Sequence, residues 1–91
     1  MSVVSGTIKI TSAGTRAQAA HKNNVRTVVF KARTDNSGDV YIGGNDVSAT
    51  DGMALTPGES ITLESLDPIS TSQYFADAAI NDDQVDFIGS L

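Results

Sequence analysis

The chain has 91 residues, with six lysines and arginines against eleven aspartates and glutamates, and no cysteine. That length makes one domain, and the missing cysteine excludes disulfides and any Cys-based zinc site. The net charge of −5 disfavours nucleic acid and anionic membrane as partners.

The first ten residues, MSVVSGTIKI, carry no basic segment and no long apolar run, so no signal peptide is expected. No stretch approaches the roughly twenty apolar residues that span a bilayer. Val3 and Val4 share no period with the strand after them, so residues 1–6 are expected as an N-terminal arm and residues 7–91 as a single β domain. GTIKIT alternates, with Ile8 and Ile10 on one face and Thr7 and Lys9 on the other. SAGTRAQAAHKNN is ambiguous: Ala17, Ala19 and Ala20 favour a helix weakly, while Gly14 and Asn23-Asn24 break one. VRTVVFKAR is the strongest strand, with Val28, Phe30 and Ala32 on one face and Val29, Lys31 and Arg33 on the other. TDNSGD then turns the chain and VYIGG runs back, which predicts a hairpin.

The stretch VYIGGNDVSATDGMALTPGES, residues 40–60, holds four glycines and the Pro-Gly pair. Gly43-Gly44 ends or bulges a strand, Asp51-Gly52 suits a tight turn, and Thr56-Pro57-Gly58-Glu59 fits a type II turn. SITLESL is a further strand that Asp67-Pro68 breaks. SQYFADAAI reads in two ways. It begins a helix capped by Ser70 or Ser72, or it is a strand with Tyr74, Ala76, Ala78 and Ile80 on one face. NDD at 81–83 reads as a turn, and QVDFIGSL as a closing strand with Val85 and Phe87 inward. Six to eight short strands at close spacing predict an all-β fold, a compact antiparallel β-sandwich or jelly-roll-like barrel.

Little in the chain suggests catalysis. His21, the single histidine, lies in the polar run AAHKNN, and a triad needs two further members. The eleven acids offer carboxylate pairs for acid–base work, but they sit mostly at turns, where Asp bonds the local backbone. Three oxygen-rich clusters resemble parts of a calcium loop: Asp35 to Asp39, Asn45-Asp46 with Asp51, and Asn81-Asp82-Asp83 with Asp86. The complete twelve-residue pattern with its terminal glutamate is missing, and hairpin turns explain all three. Gly43-Gly44 lacks a following basic residue and makes a poor phosphate cradle. No catalytic residue, cofactor or metal is expected. Phe30 alternates into the core, whereas Tyr41 and one of Tyr74 or Phe75 are candidates for exposure at an interface.

All basic residues lie within 1–34 and all acids within 35–91. Either strands from the two halves neutralise one another within a subunit, or a basic face meets an acidic face of a neighbour. The second reading names Arg16, Lys22 and Arg26 against Asp46 and Asp51, with Val3 and Val4 acting as an arm and Tyr41 as an exposed aromatic.

The order of these features resembles a family of small virion proteins in tailed bacteriophages. Its pattern is an N-G-x-V-Y-V-G-like strand, then S-x-x-x-G-x-x-L-x-P-G-E, then an alternating strand. Gly38, Val40, Tyr41, Gly43, Ser48, Gly52, Leu55, Pro57, Gly58 and Glu59 match it, and YFADAAINDDQVDFIGS is similar to the family's last hairpin. The match spans most of residues 7–88. The resemblance implies a β-sandwich near jelly-roll in shape, no catalytic residues, and strands in both ambiguous segments. It implies a capsid decoration (cement) protein on the outer capsid surface of the virion, bound to the major capsid protein as a homotrimer. A tail or head-fibre component is the alternative within the virion. A carbohydrate- or cell-surface-binding module is the alternative outside it, although the chain has no tryptophan for sugar stacking.

Overall fold

Alternation of apolar and polar residues commits most of the chain to extended backbone. The computed structural model, which describes residues 3–22 and 25–90, accordingly contains eight strands. They are β1 (Val3–Ile10), β2 (Ala17–Gln18), β3 (Val25–Ala32), β4 (Val40–Gly43), β5 (Met53–Leu55), β6 (Ser60–Ile69), β7 (Phe75–Ala78) and β8 (Asp83–Ser90). They form two four-stranded sheets, ordered β1-β8-β3-β6 and β2-β7-β4-β5. Every pairing is antiparallel.

Strand β1 pairs with β8, β2 with β7, β3 with β6 and β4 with β5. The chain is therefore one long ribbon, doubled back at β4–β5 and rolled so that its strands alternate between two facing sheets. This is the jelly-roll form of the β-sandwich.

Most inward residues are those the alternation marks; Val47, in the loop after β4, and Val25, out of phase in β3, are buried besides. Ile8, Ile10, Val28, Phe30, Val40, Ile42, Leu55, Val85 and Phe87 are all buried. Phe30 and Phe87 are directly opposite in register, with ring centroids 5.7 Å apart, and Tyr74 meets Phe30 edge-on at 5.1 Å. Aromatic rings thus fill the middle of the sandwich, which is packed rather than hollow.

Four expectations change. Residues 3–6 are the first half of β1, paired in sequence with Ser90 to Phe87, and not an arm; Met1 and Ser2 lie outside the described residues. Strands β3 and β4 form no hairpin, because they belong to opposite sheets. Both present apolar faces to the core, and residues 33–39 carry the chain across the end of the sandwich. Side chains pin that crossing. Asn36 exchanges two hydrogen bonds with the Gln84 backbone, both 2.9 Å, and the Asp83 carboxylate accepts from the Ser37 and Gly38 amides, also at 2.9 Å.

The Asp67-Pro68 break is a change of register within β6 rather than its end. Thr27 pairs with Glu64 and Val25 with Ile69, so Arg26 alone faces residues 65–68. The proline sits in this wide bulge, where no ladder amide is needed, and Leu66 at its crest is 94% exposed. The segment SQYFADAAI divides between both of its readings. Ser70 caps a single 3-10 turn, Thr71–Gln73, and β7 follows with Ala76 and Ala78 inward, while Ile80 leaves the strand and is exposed.

The first ambiguous run contributes the short strand β2 and the buried Ala19; its Asn23-Asn24 break lies outside the described residues. The Thr56–Glu59 turn forms as expected, with Gly58 at φ 90° and the Glu59 amide donating to the Thr56 carbonyl at 2.9 Å.

Candidate interaction surfaces

The outer face of the first sheet is set by strand register. Across β1, β8, β3 and β6 its rows read Val3–Ser90–Thr27–Glu64, Ser5–Ile88–Val29–Thr62 and Thr7–Asp86–Lys31–Ser60. Ile88 and Val29 are direct neighbours and Val3 is diagonal to Ile88. Val3 is 64% and Ile88 52% exposed. A shallow groove of about 260 Å³ runs between them, lined also by Thr27, Gly89 and Ser90.

Beside this apolar patch lies a charged cluster. Arg33 Nε donates to both oxygens of Asp86, at 3.1 and 3.0 Å, and Nη2 donates to Oδ1 at 3.0 Å. Thr7 Oγ1 adds a bond of 2.7 Å to the same carboxylate. The hydrogen bonds from Arg33 hold the Asp86 carboxyl below the usual range, with the Thr7 hydroxyl assisting against partial desolvation. Reciprocally, the Asp86 hydrogen bonds and charge raise the Arg33 guanidinium. Lys9 and Asp82 form a looser exposed pair at 3.9 Å. Both pairs join the basic half of the sequence to the acidic half within one chain, because β8 lies between β1 and β3.

On the second sheet Gln18, Phe75, Tyr41 and Ala54 face outward, with Asp77 between them. Asp77 is buried and accepts from the Gly14 amide at 3.0 Å and from the Ala78 amide at 2.8 Å, which anchors the loop before β2. Next to Phe75 is a polar groove of about 390 Å³ lined by Gln18, Gly44, Asn45, Ser72, Gln73 and Phe75. A third, apolar groove of about 290 Å³ opens along the free edges of β5 and β6, where Met53, Ile61, Leu63 and Tyr74 meet. Burial there pushes the Tyr74 phenol up.

His21 has company that its sequence surroundings did not announce. Its Nδ1 lies 2.7 Å from Ser70 Oγ and 3.4 Å from Ser72 Oγ. The histidine is exposed, and Ser70 Oγ already accepts from the Ser72 amide as the cap of the 3-10 turn. The trio has the connectivity of a structural clasp. No group of three or more His, Asp or Glu side chains among the described residues is placed to hold a metal ion. In the cluster around Asp83, the carboxylate is already used by backbone amides.

The sequence-predicted contact residues are dispersed. Val3 is on the outer face of the first sheet, whereas Val4 is on the inward side of β1 and half-buried. Arg16 is exposed in the loop before β2, whose Ala13 amide donates to Asn81 Oδ1 at 2.7 Å. Lys22 lies at the opposite end, where its amide donates to Thr71 Oγ1. Arg26 donates to the Leu66 carbonyl across the β6 bulge. Tyr41 is half-buried on the second sheet, and Asp46 and Asp51 are exposed in the loop after β4. Sequence reasoning missed Val29 and Ile88. Their signal was legible: both are apolar at outward positions of strands whose inward positions were already assigned.

No protein-family model matches the chain, and no curated protein matches it. Its fold resembles KdgF from Halomonas sp., with a TM-score of 0.50 at 13% identity over 96% of this chain and 68% of that one. It resembles part of IMPa from Pseudomonas aeruginosa, solved in complex with an O-glycopeptide, with a TM-score of 0.60 at 12% identity over 98% of this chain and 12% of that one. A de novo designed double-stranded β-helix matches at a TM-score of 0.50 and 18% identity, over 97% and 95% of the two chains. At such identities the likeness is one of fold, which many functions share.

Proposed function

We propose that this chain is a non-enzymatic virion protein of a tailed bacteriophage, a decoration (cement) protein. It docks on the major capsid protein at the outer capsid surface and stabilises the head. The observation that carries this reading is the outer face of the first sheet. There Val3, Val29 and Ile88 form an apolar patch beside the charged Lys31, Arg33 and Asp86. An apolar centre with a polar rim is the usual anatomy of a protein interface. A trimer would present three such faces at once, and avidity multiplies weak contacts on a lattice. The motif residues support the reading in another way: Gly58, Glu59 and Gly52 build turns and close contacts, leaving the sheet face to the partner.

The test is binding to purified capsid shells, with occupancy read by cryo-electron microscopy and assembly state by native mass spectrometry. Wild type is expected to decorate shells as trimers. Ile88→Asp, at an exposed position, is expected to cut occupancy at least about tenfold while leaving the fold intact, as loss of an apolar contact at an interface centre would. Undiminished decoration by Ile88→Asp would remove this face from the docking model. Density at the tail or a head fibre would move the protein to that alternative.

A further inference from the structure

We propose that the polar groove on the second sheet is a binding site for a neutral hexopyranoside. The groove stands apart from the docking face, on the other sheet, and its chemistry is independent of the capsid reading.

Register places Gln18 of β2 directly beside Phe75 of β7, both outward. The 3-10 turn brings Ser72 and Gln73 to one side, and the end of β4 brings Gly44 and Asn45 to the other. Gln18 Nε2 donates to the Ser72 carbonyl at 2.8 Å, which fixes the amide plane. Its Oε1, and the whole side-chain amides of Asn45 and Gln73, make no hydrogen bond among the described residues. Two whole amides, Asn45 and Gln73, and the Gln18 Oε1 acceptor therefore stand unspent around one aromatic ring. Each whole amide offers an acceptor and two donors, a combination suited to the adjacent hydroxyls of a sugar. The half-buried Phe75 adds an apolar edge to an otherwise polar lining, against which C–H groups of the same sugar would pack.

The lining contains no charged side chain, so the ligand it suits is neutral. A volume of about 390 Å³ sits at the small end of the range for ligand pockets, about 300–1,000 Å³. This fits one sugar ring rather than a chain. The Ser70–Ser72–His21 clasp stiffens the wall from behind, because Ser72 Oγ is held by Ser70 Oγ at 2.8 Å. A preformed wall lowers the ordering cost of binding.

The experiment is amide-detected NMR titration of the full chain with the methyl glycosides of glucose, galactose, mannose and N-acetylglucosamine. At least one is expected to bind with a Kd on the order of 1 mM, shifting the resonances of Gln18, Asn45, Gln73 and Phe75. Gln73→Ala, at an exposed side chain, is expected to weaken binding about fivefold. Tyr41→Ala, on the same sheet but outside the groove, is expected to leave it unchanged. The proposal is overturned if none of the four sugars shifts these resonances at about 50 mM, or if Gln73→Ala binds as wild type does.

Discussion

Gly6 lies opposite Phe87 in the β1–β8 register, on the inward side of β1. A Cβ there would fall 2.6 Å from Phe87 Cζ and 2.8 Å from Cε1. Phe30 holds the same ring from the neighbouring strand, so the ring has little room to retreat. Gly6→Ala is therefore expected to overpack the core and cost about 1–3 kcal/mol. For a domain of this size that lowers Tm by about 4–8 °C per kcal/mol, read by calorimetry. A Tm within about 2 °C of wild type would mean the ring relaxes freely. In the sequence Gly6 falls at the end of the expected arm, and nothing local says that an aromatic ring occupies the space of its missing side chain. Asp83 is similar. Its type suits a turn, yet its carboxylate serves the amides of Ser37 and Gly38, far away in sequence.

Among the elements, β1 is an edge of the first sheet and β8 is its sole partner there. Its first half was unreadable because Val3, Val4 and Ser5 lack a clear period of their own; pairing with residues 88–90 makes them a strand. Deleting residues 1–6 is expected to uncover Phe87 and expose backbone groups of β8 as a new edge, which promotes edge-to-edge association. Thermal unfolding with light scattering should show a lower Tm and earlier aggregation. An unchanged Tm would restore the arm reading. The missed exchange between β3 and β4 has the same origin. Both strands are amphipathic with a turn between them, and an alternating pattern does not say whether the next strand pairs beside its predecessor or faces it across the core.

At the scale of the molecule the acidic excess is partly organised. Hydrogen bonds from Arg33 hold the Asp86 carboxyl below its ordinary range, and the Thr56 backbone amide, then its hydroxyl, do so for Glu59. A carboxyl whose folded pKa is depressed contributes stability above its unfolded pKa, and that contribution is lost as pH falls through the folded value. Both groups therefore stabilise the fold fully above about pH 5 and progressively less below about pH 4. Both are well exposed, so solvent screening keeps the effect small. Wild-type Tm is expected to fall on acidification, and the double variant Asp86→Asn, Glu59→Gln to fall less steeply. Parallel curves from about pH 6 down to about pH 3 would show that other carboxyls govern the acid limb.

The sequence by itself determined that GTIKIT, VRTVVFKAR, SITLESL and QVDFIGSL are extended, that Ile8, Ile10, Val28, Phe30, Val85 and Phe87 turn inward, and where Thr56–Glu59 bends the chain. These follow from period-2 alternation and turn chemistry, which act between residues close together in the chain. Only the tertiary structure decided which strands share a sheet, that Val3, Val29 and Ile88 meet on one face, and that Gln18, Asn45 and Gln73 surround Phe75. Those neighbours come from strands distant in sequence, and their meeting is set by how the doubled ribbon rolls around Phe30 and Phe87 to bury both apolar faces at once.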